Sequence, residues 1–215
     1  MKRRTLIKAT LAGIGTIGIL RRVLAAGINP AKPGLQRLKG RVTVNGQAAV
    51  EGMLIKGGDT VITGADGEAI YVIGQDAFLQ RASSEVRFGD GVADFLRVVS
   101  GRLLSVFGRG EKRLTLPTAT IGIRGTACYI ETDAMKSYFC LCYGEAEVVP
   151  AAAPAEKEVI RTRHHDHPIY IHGDPAMPTS MVPATVINHS DLELELLEGL
   201  VGRRPPFGDT TGYRY

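Results

Sequence analysis

Between residues 40 and 149 the chain alternates polar and apolar positions with a period of two, in short runs punctuated by glycine. In "RVTVNGQAAV" the alternation breaks at Asn45 and Gly46, a dipeptide that accepts the positive φ of a tight hairpin turn. "GGDTVITGADGEAIYVIG" repeats the scheme, with Asp66 and Gly67 turning between two Val/Ile-rich runs. Further short runs follow through "DFLRVV", "RLLSVFG", "TIGIRGTACYIE" and "SYFCLCYG". None of them keeps a helical period over eleven residues. The expected fold is all-β, a sandwich or rolled β-solenoid of short strands, with a β-domain over residues 38–149.

After Val149 the texture changes. "PAAAPAEKE" reads as a connector broken by Pro150 and Pro154, so residues 150–162 are expected to be a linker and residues 163–215 an arm. The period shifts to that of a helix only in "HSDLELELLEGLVG". There Ser190 and Glu193 form a capping box ahead of Leu192, Leu196, Leu197, Leu200 and Val201, and Gly202 and Pro205 stop the helix. An apolar stripe of this width is expected to pack on the β-domain.

Composition supports the β reading: Trp is absent and glycine reaches 26 of 215 residues, as in a turn-rich chain with a β-branched core. The net charge of +4 changes the picture only until it is located. The first 25 residues hold six of the 26 Lys and Arg and no acid, which leaves 20 basic against 22 acidic residues. With no basic stripe in the body, nucleic-acid binding is not expected.

That leader has a basic start, an apolar run from Ala9 to Leu20 and small residues at Ala25 and Ala26, the parts of an export signal. The apolar run is shorter than the roughly 20 residues that span a bilayer. Arg3 and Arg4 followed by Leu6 and Lys8 resemble a twin-arginine signal, which implies export of the folded protein to the periplasm and membrane contact only through residues 1–26. The leader's Gly13, Gly15 and Gly18 spell a dinucleotide fingerprint, but no strand precedes them and that reading fails.

"GRVTVNGQAAVEGMLIKGGDTVITGADGEA", "VVSGRLLSVFG", "LPTATIGIRGTACYIE" and "CYGEAEVV" together resemble the FecR-type domain of bacterial envelope proteins. The most specific piece is "LPTATIGIRGT", in which Pro117, Gly122, Arg124, Gly125 and Thr126 fall where the family places them. The resemblance implies an all-β periplasmic domain, in a family whose members relay the state of an outer-membrane iron transporter to an anti-sigma system. A structural role is expected for the motif: Gly125 permits a bulge or close backbone approach, and Arg124 can bond neighbouring carbonyls. Only an export leader is legible ahead of the domain. The expectation is therefore a sensing or binding module for an envelope protein or small ligand, with a purely structural envelope protein as an alternative.

The chain shows no hydrolase elbow, phosphate loop, H-E-x-x-H or haem attachment motif, so an enzyme is not expected. Two features could bind a transition metal. "RTRHHDHPIYIH" carries His164, His165, His167 and His172. His165 and His167 would face one side of an extended segment, with Asp166 within reach, and three or four such ligands satisfy a common site. Cys140 and Cys142 also share a face in "YFCLCYG", and Cys128 lies on the run before the turn. The cysteines allow three arrangements: buried apolar thiols, a disulfide such as Cys128 to Cys142 if the turn has three residues, or a mixed Cys/His metal site. The metal-binding or redox accessory protein is thus a second expected class.

Overall fold

The computed structural model describes residues 30–91 and 94–207. The leader, with Arg3, Arg4, Leu6 and Lys8, lies outside them.

Strand follows strand, as the period-two pattern requires. They are β1 (Gly34–Lys39), β2 (Val42–Val44), β3 (Gln47–Ala48), β4 (Thr60–Thr63), β5 (Glu68–Ile73), β6 (Asp76–Gln80), β7 (Ser84–Gly91) and β8 (Asp94–Val106). Then come β9 (Glu111–Thr115), β10 (Ala119–Arg124), β11 (Ala127–Thr132), β12 (Lys136–Pro150), β13 (Glu158–Thr162), β14 (Ile169–His172) and β15 (Met181–Pro183). A single α-helix among the described residues, α1 (Asp191–Leu200), closes the order. Asn45 (φ 52°) and Gly46 (φ 79°) make the expected two-residue hairpin between β2 and β3. The Asp66-Gly67 turn instead carries the chain from β4 in one sheet to β5 in the other.

The strands form two sheets packed as a sandwich. The first runs β1-β5-β6-β8-β11-β12-β14-β15 and the second β3-β2-β4-β7-β8-β9-β10-β12-β13. β8 and β12 belong to both. β8 leaves the second sheet at Ser100 and joins the first at Gly101, and β12 makes the opposite passage at Gly144. Strands that switch sheets need a corner, and both corners are glycines with positive φ, 90° and 100°.

Alternation then sorts side chains between two apolar layers. Phe78, Leu103, Cys128, Ile130, Phe139 and Leu141 point between the sheets, where they meet Val61, Val86, Leu96 and Ile121 of the second sheet. Leu79, Leu104, Val106, Tyr129, Tyr138, Cys140 and Cys142 point outward from the first sheet. This outer face would be wet were it not covered by α1, through Leu194, Leu196, Leu197 and Leu200. Leu192, expected on that stripe, is exposed and Leu194 takes its place. The helix starts as read: a Glu193 carboxylate oxygen accepts from the Ser190 backbone N–H at 3.0 Å.

The stretch expected as a linker is part of the sandwich. A 3-10 turn at Pro154–Glu156 leads into β13, which pairs with Gly144 to Val148 of β12. The proline-rich run ahead of it masks the short alternation in "EVIRT". The arm likewise adds β14 and β15 to the edge of the first sheet.

Candidate metal centre

Beneath the start of α1, four donors from three separate stretches converge. Cys140 and Cys142 sit on the outward face of β12, two residues apart and both buried. The chain reverses sharply after β13, where the Asp166 carboxylate accepts from the Thr162 hydroxyl and the Arg163 N–H, each at 2.9 Å. Those bonds, that of Arg163 first, hold the Asp166 carboxyl below its ordinary range. The reversal puts His165 at φ 54°, and its N–H bonds the Cys142 carbonyl at 3.0 Å. His189 arrives from the residue before the helix cap, its ring stacked on Tyr129 at 4.6 Å between centroids. Asn188, at φ 55°, turns the chain there, and its side-chain amide donates to Glu131.

The donor atoms of Cys140, Cys142, His165 and His189 all lie within 4.8 Å of one another. Cys140 Sγ is 3.4 Å from His165 Nδ1, and His165 Nδ1 is 3.1 Å from His189 Nε2. With Zn–S of about 2.3 Å and Zn–N of about 2.0 Å, the edges of a Cys2His2 tetrahedron measure about 3.3 to 3.8 Å. The Cys140–His165 and His165–His189 separations are thus close to those that one tetrahedral ion imposes. All four residues are buried, so such a centre has no position open to solvent.

The other nitrogen of each ring is already committed. His189 Nδ1 lies 2.6 Å from the Ile187 carbonyl, which can only accept, so Nδ1 carries a proton. His165 Nε2 lies 3.2 Å from an Asp191 carboxylate oxygen and donates to it in the same way. His165 Nδ1 and His189 Nε2 then face each other at 3.1 Å, with Cys140 Sγ 3.4 Å from His165 Nδ1. A metal ion, or a proton shared with the Cys140 sulfur, would satisfy both ring nitrogens together. Carboxylate and carbonyl partners on the outer nitrogen are the usual support of a ligating histidine.

The thiols respond to the same surroundings. Hydrogen bonds from Cys142 first, and then from His165 and His189, overcome burial and push the Cys140 thiol well down. Burial pushes Cys142 up, reinforced by Cys140. These surroundings favour the thiolate of Cys140 over that of Cys142, and the thiolate is the form that ligates.

The sequence-predicted residues divide. Cys140, Cys142 and His165 are brought together, and His164 joins from the side, with Nε2 at 2.9 Å from Asp191. His167 does not join: the left-handed turn at His165 breaks the extended alternation, so His167 faces outward beside Glu158 at 3.3 Å. His172 does not join either. Its β12 partner is Lys136, four residues and about 13 Å of strand from Cys140. The Cys128 to Cys142 disulfide is also corrected. The turn leaves Thr132 opposite Ser137 and Cys128 opposite Leu141, so Cys128 points between the sheets while Cys142 points under the helix. All three cysteines are free.

His189 escapes a reading of the sequence because it lies 24 residues from His165 in the histidine-rich stretch. Its one local signal is position, directly before the Ser190 cap. In the "GIRGT" motif, Gly125 adopts φ 60°, and a Cβ placed there would meet no neighbouring atom closer than 3.5 Å, so conformation and not crowding calls for glycine. Arg124 is exposed and its nearest charge is Glu111 at 3.9 Å.

No family model matches the chain, and no curated protein matches it. Solved structures similar to it include two crystal structures of a candidate anti-sigma factor from Parabacteroides distasonis ATCC 8503. One, at 1.65 Å resolution, aligns with a TM-score of 0.48 and 8% identity over 59% of this chain and 59% of that one. The other, at 2.50 Å, gives 0.46 and 8% over 67% of this chain and 60% of that one. The chain thus spans about three fifths of the length of these neighbours, and likeness at this level assigns no function.

Proposed function

We propose that the chain is a non-enzymatic, metal-binding β-sandwich module. One transition-metal ion is held by Cys140, Cys142, His165 Nδ1 and His189 Nε2, with Asp191 and the Ile187 carbonyl as outer partners. The observation that carries this reading is the 3.1 Å approach of two imidazole nitrogens whose opposite nitrogens are both donors. Two thiols and two imidazoles in a closed site suit zinc, with cobalt and copper as competitors. A closed site of this kind supports structure: it would staple the arm and α1 onto the outer face of the first sheet. The twin-arginine-like leader fits export of a protein that has already folded and acquired its ion, with the periplasm as destination.

The FecR-type resemblance of "LPTATIGIRGT" favours a complementary role, in which the stapled sandwich is a sensing or binding platform for an envelope protein or small ligand. Metal content tests the primary reading. Untagged protein purified from its own periplasm should carry about one equivalent of metal, lost in His189→Ala and retained in a His167→Ala, His172→Ala double variant. A metal-free protein that also fails to take up zinc, cobalt or copper in vitro would reduce the cluster to a proton-sharing thiolate-imidazolium group.

A further inference from the structure

Beside the metal centre, at the end of the sandwich where β12 turns its corner, lies a cleft of about 710 Å³. Its walls are the ends of strands and the chain after α1. Arg109, Arg163, Arg203 and Arg204 line it, while Phe107, Tyr143 and Phe207 supply flat apolar surface. Its volume is typical of a small-molecule site. We propose that this cleft binds an organic oxyanion, a carboxylate or phosphate on an aromatic or other flat apolar body. The inference is independent of the metal reading.

Charge is the first argument. Outside the leader the chain has more acids than bases, yet this cleft gathers four arginines. Its one lining acid, Glu198, already accepts from Arg203 Nε at 2.6 Å and from the Tyr143 hydroxyl. Among the described residues no ion pair engages Arg109, Arg163 or Arg204. A concave surface of one sign with low-dielectric walls concentrates the field on a counter-charge.

Arg203 is the second. Its Nε is fixed by Glu198 and its Nη1 by the Gln75 carbonyl at 2.7 Å, so the guanidinium plane is set before any ligand arrives. Its Nη2 is buried and has no partner among the described residues. A guanidinium held in one plane is suited to planar or tetrahedral oxyanions.

The third is the wall. Phe207 packs against Tyr143 at 5.9 Å and over His164 at 4.4 Å between ring centroids. Gly125 also lines the cleft, and where its side chain would stand no neighbouring atom comes closer than 3.5 Å, which leaves room for a ligand near the backbone. A bare inorganic anion would leave these aromatic surfaces unused, so the ligand has an apolar body.

The full-length protein, as purified, would be titrated with phenyl phosphate, benzoate, inorganic phosphate and neutral benzamide. Binding would be read by calorimetry and by amide NMR shifts of Gly108, Gly125 and Gly144. Phenyl phosphate or benzoate should bind and move these three amides, with benzamide weaker by about tenfold or more. An Arg109→Ala, Arg204→Ala double variant changes two side chains outside the ion pairs of the described residues and should weaken binding by about tenfold or more, with unchanged metal content. No shift with any probe, or equal binding by the double variant, overturns the proposal. Inorganic phosphate binding as tightly as phenyl phosphate overturns the organic-ligand half of it.

Discussion

Asp191, the first residue of α1, places one carboxylate oxygen 2.9 Å from His164 Nε2 and 3.2 Å from His165 Nε2. One carboxylate thereby fixes the orientation of His165, a proposed ligand, and of the His164 ring beside it. Asp191→Asn keeps the shape and loses the charge. It should lower metal affinity by about 10–100-fold with little change in circular dichroism, as measured by competition with a chromophoric chelator. Wild-type affinity in this variant would remove Asp191 from the site.

Metal removal should loosen the arm before the sandwich. Saturation at a thousand times Kd stabilises a fold by about 4 kcal/mol, so a chelator should lower Tm visibly. Hydrogen exchange should quicken in α1 and around residues 184–189, while amides of β8 and β10 stay protected. Uniform loss of protection would mean that the ion supports the whole fold and not the arm.

Cys128 provides the converse test. It is buried between the sheets, where burial pushes its thiol up. Cys128→Ser puts a more polar hydroxyl there, and an unmatched one should cost about 1–3 kcal/mol in urea unfolding. Its metal stoichiometry should equal that of the wild type.

The sheet-switching corner is expected to resist substitution. A Cβ at Gly144 would stand 2.7 Å from Thr126 Cγ2, at φ 100°. Gly144→Ala should therefore lose at least about 1–3 kcal/mol through crowding alone. Gly46 shares the positive φ but has no atom within 4 Å of that position. Gly46→Ala should cost only the backbone term, about 1–2 kcal/mol.

Acid should act at the turn between β11 and β12. The N–H groups of Met135 and Lys136 each reach the Asp133 carboxylate at 2.8 Å and hold its carboxyl below the ordinary value. A lowered folded value means a contribution present above the unfolded value and lost as pH falls through the folded one. The stability difference between wild type and Asp133→Ala should shrink as pH falls from about 6 to about 2. A constant difference would show that the carboxylate's charge is irrelevant to the turn.

The sequence by itself determined the strands between residues 40 and 149, the Asn45-Gly46 hairpin and the capped helix, because these depend on neighbours a few residues apart. Period-two alternation even put Cys140 and Cys142 on one face, since strand geometry is fixed over two residues. Alternation could not say which face lies under a helix, nor could it see past the turn that sends His165 inward and His167 out. That turn depends on the Asp166 carboxylate closing on Thr162 and Arg163. His189 joins the centre only because α1 folds back over the first sheet, an outcome of burying leucines against a distant surface. The tertiary structure alone decided this, since long-range packing, and not local pattern, sets which side chains meet.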